Sequence, residues 1–268
     1  MKTFYEWQKA PKGEFAVIGD PISHSWSPQI HHAAYHALHL PYRYHAIRVP
    51  LSEFNEALLY LQMLGYIGVN VTSPLKEAAF QWAVEIELDA IQYKALNTLH
   101  LHQKKGTNTD APGFMKTLEC LSVPAGSNVL ILGAGGSAKT LAKVLAREGF
   151  GIFIFNRTYE HAKQMVHELE ISAVILTQPS LKDMQLVIHA CSSQNTLSLS
   201  WENAPESCIA YDLQYQSNPT SFLLDAAHAG QKIYDGKALL VEQAALSFEW
   251  WLQLPAPRKI MSDAILHP

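Results

Sequence analysis

The chain has 268 residues, enough for one or two domains, and its net charge of −4 combines 20 basic with 24 acidic residues. No basic block predicts binding to nucleic acid or to an anionic membrane. We find no run of 18 apolar residues and no secretory signal at the N-terminus, and therefore expect a cytoplasmic protein without membrane spans. Three cysteines without a C-x-x-C spacing exclude a disulfide framework and a zinc knuckle, and we interpret Cys120, Cys191 and Cys208 as small buried side chains.

Strands and helices alternate along the first 121 residues. Apolar runs predict strands at 14–18, 44–49, 67–71 and 95–102, and the 3.6-residue period predicts helices at 27–40, 53–64 and 111–121. Ser27 and Ser52 are the expected N-caps of the first two helices. Residues 103–106 are expected to form a turn, and Lys76 is expected in the first turn of a helix.

Polar side chains follow several of these strands. Ser25 and Ser27 come after the first strand, Thr72 and Lys76 come after the third, and Asp110 opens a helix. Ligands of α/β proteins bind at the carboxyl ends of strands, so these residues are candidates for a site. A carboxylate beside Lys76 would keep that lysine charged, although Asp110 and the serines are equally suited to capping helices.

The helix predicted at 27–40 carries four histidines. His32 and His36 lie one turn apart, as two metal ligands would. The chain has no H-E-x-x-H arrangement there and no third ligand nearby. We therefore predict no metal site and a surface-facing stripe formed by His31, His32, His36 and His39.

The stretch from residue 128 to residue 158 indicates a dinucleotide site. An apolar strand at 128–132 is followed by G-A-G-G-S-A, a helix to Gly149 and a second strand at 152–155. The glycines fit G-x-G-x-x-G/A, in which a tight turn directs the helix N-terminus at a pyrophosphate. The predicted contacts are Gly133, Ala134, Gly135, Gly136, Ser137 and Ala138.

The end of the second strand indicates which dinucleotide binds. An NAD site needs a carboxylate there for the ribose 2′-hydroxyl, but the chain has Asn156, Arg157 and Thr158. A guanidinium suits a 2′-phosphate, so we predict NADP(H). The alternative is that Arg157 is solvated and Thr158 only caps a helix at 159–170.

The rest of the chain continues the alternation. Further strands are predicted at 173–176, 186–190, 209–212 and 232–234, and helices at 238–252 and 258–266. Alternating β and α segments predict the α/β class with parallel sheets.

With these residues assembled, the sequence resembles the shikimate dehydrogenase (shikimate/quinate dehydrogenase) family. The resemblance runs nearly from end to end and comprises separate blocks in the family's order. They are G-D-P-I-S-H-S-W-S-P at 19–28, N-V-T-S-P-L-K at 70–76, A-L-N-T at 95–98, G-T-N-T-D-A-P-G at 106–113, G-A-G-G at 133–136, N-R-T at 156–158, Tyr215, and D-G at 235–236 with Gln243.

The resemblance implies an α/β fold with two domains. One is an N-terminal α/β substrate domain at 1–112, completed by 236–268, and the other is a Rossmann-like NADP-binding domain with a parallel sheet at 113–235. It implies the reversible NADPH-dependent reduction of 3-dehydroshikimate to shikimate, in aromatic amino-acid and chorismate biosynthesis, by a monomer or homodimer. Lys76 would be the catalytic acid/base beside Asp110, and Gly236 would join the cofactor site. The residues implied for the substrate are Ser25, Ser27, Thr72, Asn97, Asp110, Tyr215 and Gln243.

Some positions depart from the family's pattern. Lys94 stands where a Gly is usual in the family, and His32 stands in place of an Asn. At 189–195 the family usually has an Asn, then an Ala or Thr, then a Thr or Ser, and Leu239 stands in place of a Met. The last two departures fall in stretches that flank the nicotinamide in the family, so they bear on cofactor binding and turnover.

Three other functions stay open. A quinate/shikimate dehydrogenase using NAD is disfavoured by Arg157, and a catalytically weak NADP-binding regulatory homologue is disfavoured by the intact Lys76 and Asp110. Another two-domain NADP enzyme, acting on a one-carbon folate carrier, would not need the serine pair.

Overall fold

The computed structural model describes residues 4–191 and 199–266, which fall into two compact units. The first unit lies within residues 1–114 and 240–268, and the second within 115–239. Two helices run across these boundaries, one at each. The first unit is therefore discontinuous in sequence, and the second is a single insertion into it.

The sheet of the first unit is mixed. Its seven strands within the described residues are arranged β1-β3-β2-β4-β6-β7-β5, with β6 antiparallel to both of its neighbours. The prediction of parallel pairing therefore holds for four of the six strand pairs of this sheet and fails for the two that involve β6. In chain order the strands are β1 (Tyr5–Glu6), β2 (Phe15–Gly19), β3 (Tyr44–Arg48), β4 (Gly68–Val71), β5 (Glu85–Ile86), β6 (Thr98–His100) and β7 (Lys105–Thr107).

The antiparallel pair has a local cause. The strand predicted at 95–102 is shorter in the structure, and the turn predicted at 103–106 lies two residues earlier, at 101–104. Only residues 101–104 connect β6 to β7, and a connection this short permits a hairpin but not the crossover that parallel pairing requires.

Helices cover the first sheet and cross into the second unit. The helices of the first unit are α1 (Ser27–Ala37), α2 (Phe54–Met63), α3 (Lys76–Trp82), α4 (Leu88–Ile91) and α10 (Arg258–Leu266), and the two that cross the unit boundaries are α5 (Asp110–Leu121) and α9 (Lys237–Leu252). Aromatic packing fills the core, with the rings of Phe15 and Trp251 only 4.8 Å apart and Phe248 fully buried. The C-terminal helix is held by Gln29, which donates to the Ala264 carbonyl.

Neither predicted serine cap is formed. Trp26 occupies the N-cap of α1, and Ser27 is the first helical residue, with its N–H donating to Ser25 Oγ at 3.3 Å. Ser52 lies in a 3₁₀ turn, after which α2 begins with Glu53 at the N-cap and no side-chain cap. The 3₁₀ turn shifts the helix start by one residue and so displaces Ser52 from the cap position.

The prediction of a surface histidine stripe is wrong for His31. This side chain is fully buried and stacks on Tyr44, with ring centroids 4.1 Å apart, whereas His32, His36 and His39 are exposed. His31 lies on the helix face that also buries Ile30 and Ala34. Burial and the neighbouring charge of His32 lower the pKa of His31 to about 3, so the ring is neutral at physiological pH.

The second unit has a fully parallel sheet. Among the described residues its six strands are arranged β10-β9-β8-β11-β12-β13. This is the Rossmann order, in which β9 and β10 are added on one side of β8 and the later strands, from β11 on, on the other side. Its strands are β8 (Asn128–Leu132), β9 (Gly151–Phe155), β10 (Ala173–Leu176), β11 (Leu186–His189), β12 (Ile209–Asp212) and β13 (Lys232–Tyr234), and its helices are α6 (Gly136–Arg147), α7 (Tyr159–Leu169) and α8 (Ser221–His228). The α/β class and the predicted strands of this unit are confirmed, with β9 one residue longer and β11 one residue shorter than expected.

The three cysteines differ in how far they are exposed. Cys208 is buried, Cys191 is partly exposed and Cys120 is exposed, so the prediction of three buried cysteines is wrong for Cys120. Across residues 4–191 and 199–266, no helix combines the length and the apolar character needed to cross a membrane.

Candidate active site

The loops that follow β2 and β4 lie side by side. The two strands are parallel neighbours with Ile18 opposite Val71, so their carboxyl ends adjoin. Backbone hydrogen bonds continue past the sheet, with Asp20 N donating to the Ser73 carbonyl at 3.1 Å. The segment that carries Ser25 and Ser27 therefore starts beside the segment that carries Thr72 and Lys76.

Lys76 and Asp110 form a buried ion pair in the first unit. Each is the first residue of its helix, and Lys76 Nζ lies 2.6 Å from Asp110 Oδ2. The side chains are only 10% and 12% exposed. Two charges removed from water remain ionised only with a close partner and further hydrogen bonds. Asp110 Oδ1 provides one such bond by accepting from Asn97 Nδ2 at 2.9 Å.

Asn97 connects this pair to α9. Its amide nitrogen also donates to Thr109 Oγ1 at 2.9 Å and to Gln243 Oε1 at 3.4 Å. Its amide oxygen accepts from Thr109 N at 2.8 Å. Asn97 is 2% exposed, so the orientation of its amide is set by protein partners on both sides. The structure thus brings Lys76, Asp110, Asn97 and Gln243 together.

A second set of buried polar groups supports Asn97 and was not predicted from the sequence. Asn70 Nδ2 donates to the Asn97 carbonyl at 3.1 Å and to Ser247 Oγ at 2.9 Å, and Tyr44 Oη donates to Asn70 Oδ1 at 2.7 Å. Ser247 also lies 2.8 Å from Thr98 Oγ1. Two features of the sequence could have revealed this set: Asn70 is a polar residue inside an apolar strand, and Ser247 lies one helical turn after Gln243.

The remaining predicted substrate residues occupy other positions. Ser27 is 5% exposed, while Ser25 and Thr72 are half-buried in the adjoining loops. Tyr215 belongs to the second unit, where it is half-buried three residues after the end of β12.

The glycine turn of the second unit has the predicted form. Gly133 follows β8 with φ of +122°, a conformation that L side chains rarely adopt, and a Cβ there would lie 3.1 Å from the Ala190 carbonyl oxygen. Gly135 is the exposed N-cap of α6, Gly136 is its first residue and Ala138 is fully buried. Ala134 and Ser137 are half-buried. This turn and helix start lie where the sheet order reverses, and the unpaired N–H groups of a helix start suit a phosphate.

A positively charged side chain, that of Arg157, follows the end of β9. Arg157 is exposed and forms no ion pair with any described residue, so its guanidinium is free to meet a phosphate. Asn156 Nδ2 donates to the Thr158 carbonyl at 2.8 Å. Thr158 does occupy the N-cap of α7, but its side chain makes no capping hydrogen bond.

Gly236 lies against the backbone after β12. Its N–H donates to the Gln214 carbonyl at 3.0 Å, and a Cβ would collide with the Leu213 carbonyl. This close approach of two backbone segments therefore explains why position 236 is a glycine, which has no side chain.

The departures from the family's pattern have visible local structures. Lys94 adopts a left-handed φ of +53°, which a glycine would favour, and its Nζ lies 5.5 Å from the centre of the Phe80 ring. His32 Nε2 accepts from Tyr44 N at 3.0 Å. Leu239 is half-buried on α9. Of the atypical stretch 189–195, residues 192–195 lie outside the described residues.

No group of three or more His, Cys, Asp or Glu side chains within the described part of the chain is arranged to hold a metal ion.

A Rossmann sheet with a glycine turn, carried in one chain with a buried lysine–carboxylate pair, defines a nicotinamide-dependent oxidoreductase. Three family models match in succession: the shikimate dehydrogenase substrate-binding domain at 17–99, shikimate/quinate 5-dehydrogenase at 118–207 and the shikimate 5′-dehydrogenase C-terminal domain at 239–266. The chain belongs to the shikimate dehydrogenase family.

Individual relatives agree with this assignment. The chain is 36% identical to a shikimate dehydrogenase (NADP(+)) of Nitrosopumilus maritimus, over 94% of this chain and 97% of the relative. It is 34% identical to the Bacillus subtilis protein of the same name, over 94% and 96%. A crystal structure of shikimate 5-dehydrogenase from Thermus thermophilus in complex with NADP(H) and shikimate superposes with a TM-score of 0.83 at 33% identity, covering 94% of this chain and 97% of that one.

Proposed function

We propose that this chain catalyses the reversible NADPH-dependent reduction of 3-dehydroshikimate to shikimate, a step toward chorismate and the aromatic amino acids. Relatives that match over nearly the whole chain are named shikimate dehydrogenase (NADP(+)), and the Thermus thermophilus structure holds NADP(H) and shikimate. Within this chain, the observation that carries the proposal is the buried pair of Lys76 and Asp110, 2.6 Å apart.

The reaction needs a proton donor at the substrate's ketone oxygen. The ammonium of Lys76 is held by Asp110 in a site that is largely shielded from water, and a positioned ammonium can donate that proton. Asp110 orients the ammonium, and Asn97 in turn orients Asp110 through the second carboxylate oxygen. In the reverse direction the same lysine, once neutral, accepts the proton.

Short polar side chains suit the substrate, a small carboxylate with several hydroxyls. Hydroxyl and amide groups at fixed positions bind such a molecule through directional hydrogen bonds, and they reject analogues that leave one of these groups unpaired. We assign this role to Ser25, Ser27, Thr72, Asn97, Tyr215 and Gln243.

The second unit offers a fitting site for the dinucleotide. We assign the pyrophosphate to the turn and helix start at 133–138, the 2′-phosphate to Arg157 with Asn156 and Thr158, and a supporting position to Gly236. When bound, NADPH supplies the hydride of the reaction. We expect the protein in the cytoplasm as a monomer or homodimer, which light scattering on the purified protein would distinguish.

An initial-rate assay tests the proposed function. Shikimate or quinate is combined with NADP or NAD, and the absorbance of the reduced nicotinamide is followed. We expect the highest kcat/KM for shikimate with NADP. Faster turnover of quinate with NAD would make the chain a quinate/shikimate dehydrogenase, and no turnover with any pair would favour a regulatory homologue.

A further inference from the structure

A buried carboxylate joins two neighbouring strand ends of the second unit. Asp212 is the last residue of β12 and lies opposite His189, the last residue of β11. His189 Nδ1 lies 3.0 Å from Asp212 Oδ1. Asp212 is fully buried and His189 is 7% exposed, so the contact between them is shielded from water. The two strand ends are therefore linked through their side chains as well as through the sheet.

The ring of His189 is held in a single orientation. It stacks on Phe222, with ring centroids 5.1 Å apart. An ionised carboxylate only accepts hydrogen bonds, so Nδ1 carries a proton and donates to Asp212. Burial alone would lower the pKa of His189, but the hydrogen bond to Asp212 outweighs burial and raises the pKa to about 9. The donor to Asp212 is therefore present throughout the neutral pH range.

Two further donors fix the carboxylate of Asp212. Gln214 N donates to Oδ1 at 2.9 Å, and Thr220 Oγ1 donates to Oδ2 at 2.6 Å. A carboxylate removed from water needs such donors, and the loss of one of them makes its burial more costly. His189 and Gln214 share one oxygen, so a carboxylate that shifts or takes up a proton after the loss of the imidazole also loosens the bond to Gln214 N.

The backbone segment after β12 depends on these bonds. Besides its bond to Asp212, Gln214 donates from Nε2 to the Cys191 carbonyl at 3.1 Å and accepts at its own carbonyl from Gly236 N at 3.0 Å. Tyr215 is the next residue and is half-buried. The direction in which Tyr215 leaves the segment is therefore set by a residue whose N–H is held by Asp212.

We propose that His189 is a positioning residue for substrate binding. By donating to Asp212 it fixes the segment after β12, and this segment sets the place of the Tyr215 hydroxyl. The effect on the substrate rests on the proposed function, which assigns Tyr215 to that molecule. The restraint of the segment does not rest on it.

Steady-state kinetics of the full chain with shikimate and NADP+ test the effect on the substrate. His189→Leu removes the donor to Asp212, whereas His189→Asn keeps one, because the amide nitrogen of Asn lies as many bonds from the backbone as Nδ1 does. In His189→Leu we expect the KM for shikimate to rise about three- to tenfold, the equivalent of one hydrogen bond, with kcat nearly unchanged. His189→Asn should stay within about twofold of the wild type.

Two comparisons separate positioning from a loss of stability. Val187→Ala is the matched control, because it opens a cavity at a fully buried position of the same strand and leaves the donors to Asp212 intact. It should not change the KM for shikimate. If His189 acts through Tyr215, the two losses should not add, and His189→Leu should raise the KM by less than about twofold in a Tyr215→Phe background.

Hydrogen exchange followed by mass spectrometry measures the restraint without any enzymatic activity. The Gln214 amide should exchange about tenfold faster or more in His189→Leu than in the wild type, and it should stay protected in His189→Asn. Thr220→Val removes the donor to the other carboxylate oxygen and should have the same effects on exchange and on KM. Thr220→Ser keeps the hydroxyl, which also caps α8, and should have neither effect.

Several results would overturn the proposal. A His189→Leu protein that binds NADP+ in a fluorescence titration and keeps a normal KM for shikimate would refute the positioning role, and so would an equal loss in His189→Asn. Additive losses would show that His189 does not act through Tyr215. If His189→Leu fails to bind NADP+, the two Thr220 variants decide by the same criteria. A wild type that turns over no shikimate would refute the proposed function instead, while exchange at Gln214 still decides whether His189 restrains the segment.

Discussion

Lys76 Nζ donates to Asp110 Oδ2 at 2.6 Å, and the two residues begin separate helices. A lysine at the start of a helix faces the positive end of the helix dipole, which is unfavourable. The carboxylate of Asp110 offsets part of this cost by accepting a hydrogen bond from the buried ammonium. The pair is thus maintained at a cost in helix stability, which is expected of a group with a chemical role.

Replacing Lys76 tests that role. Lys76→Ala should lower kcat by roughly 100-fold or more, the usual contribution of a positioned acid/base, with a smaller change in KM. Steady-state kinetics at saturating NADPH would measure both, with the exposed Lys9→Ala as the control. A normal kcat with a raised KM would reassign Lys76 to substrate binding. If the pair acts as a unit, adding Asp110→Asn to Lys76→Ala should cause little further loss.

Arg157 tests the choice of dinucleotide. Arg157→Ala should weaken NADPH binding by roughly 10- to 150-fold, because a charge-assisted contact is worth about 1.5 to 3 kcal/mol. NADH, which lacks the 2′-phosphate, should be nearly unaffected. Fluorescence titration gives both dissociation constants, and Arg147→Ala, exposed at the end of α6, is the matched control. Equal losses for the two cofactors would show that Arg157 does not contact the phosphate.

The pKa of His189 predicts a loss of stability in alkaline solution. Because the folded-state pKa is raised from 6.5 to about 9, the contribution to the free energy of unfolding is complete below pH 6.5 and is lost as the pH rises through about 9. The shift corresponds to on the order of 3 kcal/mol. Urea unfolding at about pH 6 and about pH 10 should show this loss in the wild type but not in His189→Asn. A parallel pH dependence in both proteins would contradict the prediction.

Ser247 tests the buried polar network. Ser247→Ala should lower the free energy of unfolding by about 1 to 3 kcal/mol, because Asn70 and Thr98 lose a buried hydrogen-bond partner. The control is Ser52→Ala, an exposed position without a capping role, which should change stability by less than about 0.5 kcal/mol. Urea unfolding curves of both variants decide the matter, and equal small effects would show that the network contributes nothing measurable.

Local patterns predicted the second unit better than the first. Four of its strands were predicted with the bounds that the structure shows, because each is a short apolar run bordered by residues that end strands. In the first unit, β6 and β7 are paired through a hairpin whose turn residues resemble a longer strand followed by a loop. The burial of His31 is likewise decided by Tyr44, a partner from a different element.

The candidate site likewise contains some residues that local sequence patterns predict and others that they do not. Lys76 and Asp110 could be predicted as neighbours, since both follow strand ends. Ser247 could not, because its role depends on Asn70, which is 177 residues away in sequence.

The discontinuity of the first unit has a consequence for biosynthesis on the ribosome. Asn70 and Ser247 are 177 residues apart in sequence, so at translation rates of about 5 to 20 residues per second Ser247 is made about 10 to 35 s after Asn70. Throughout that interval the nascent N-terminal segment lacks α9 and α10, which supply Ser247 and Trp251 to its core and the Ala264 carbonyl to Gln29. The inserted unit can fold first, and the polypeptide that was made earliest must wait for the last helices before its own core is complete.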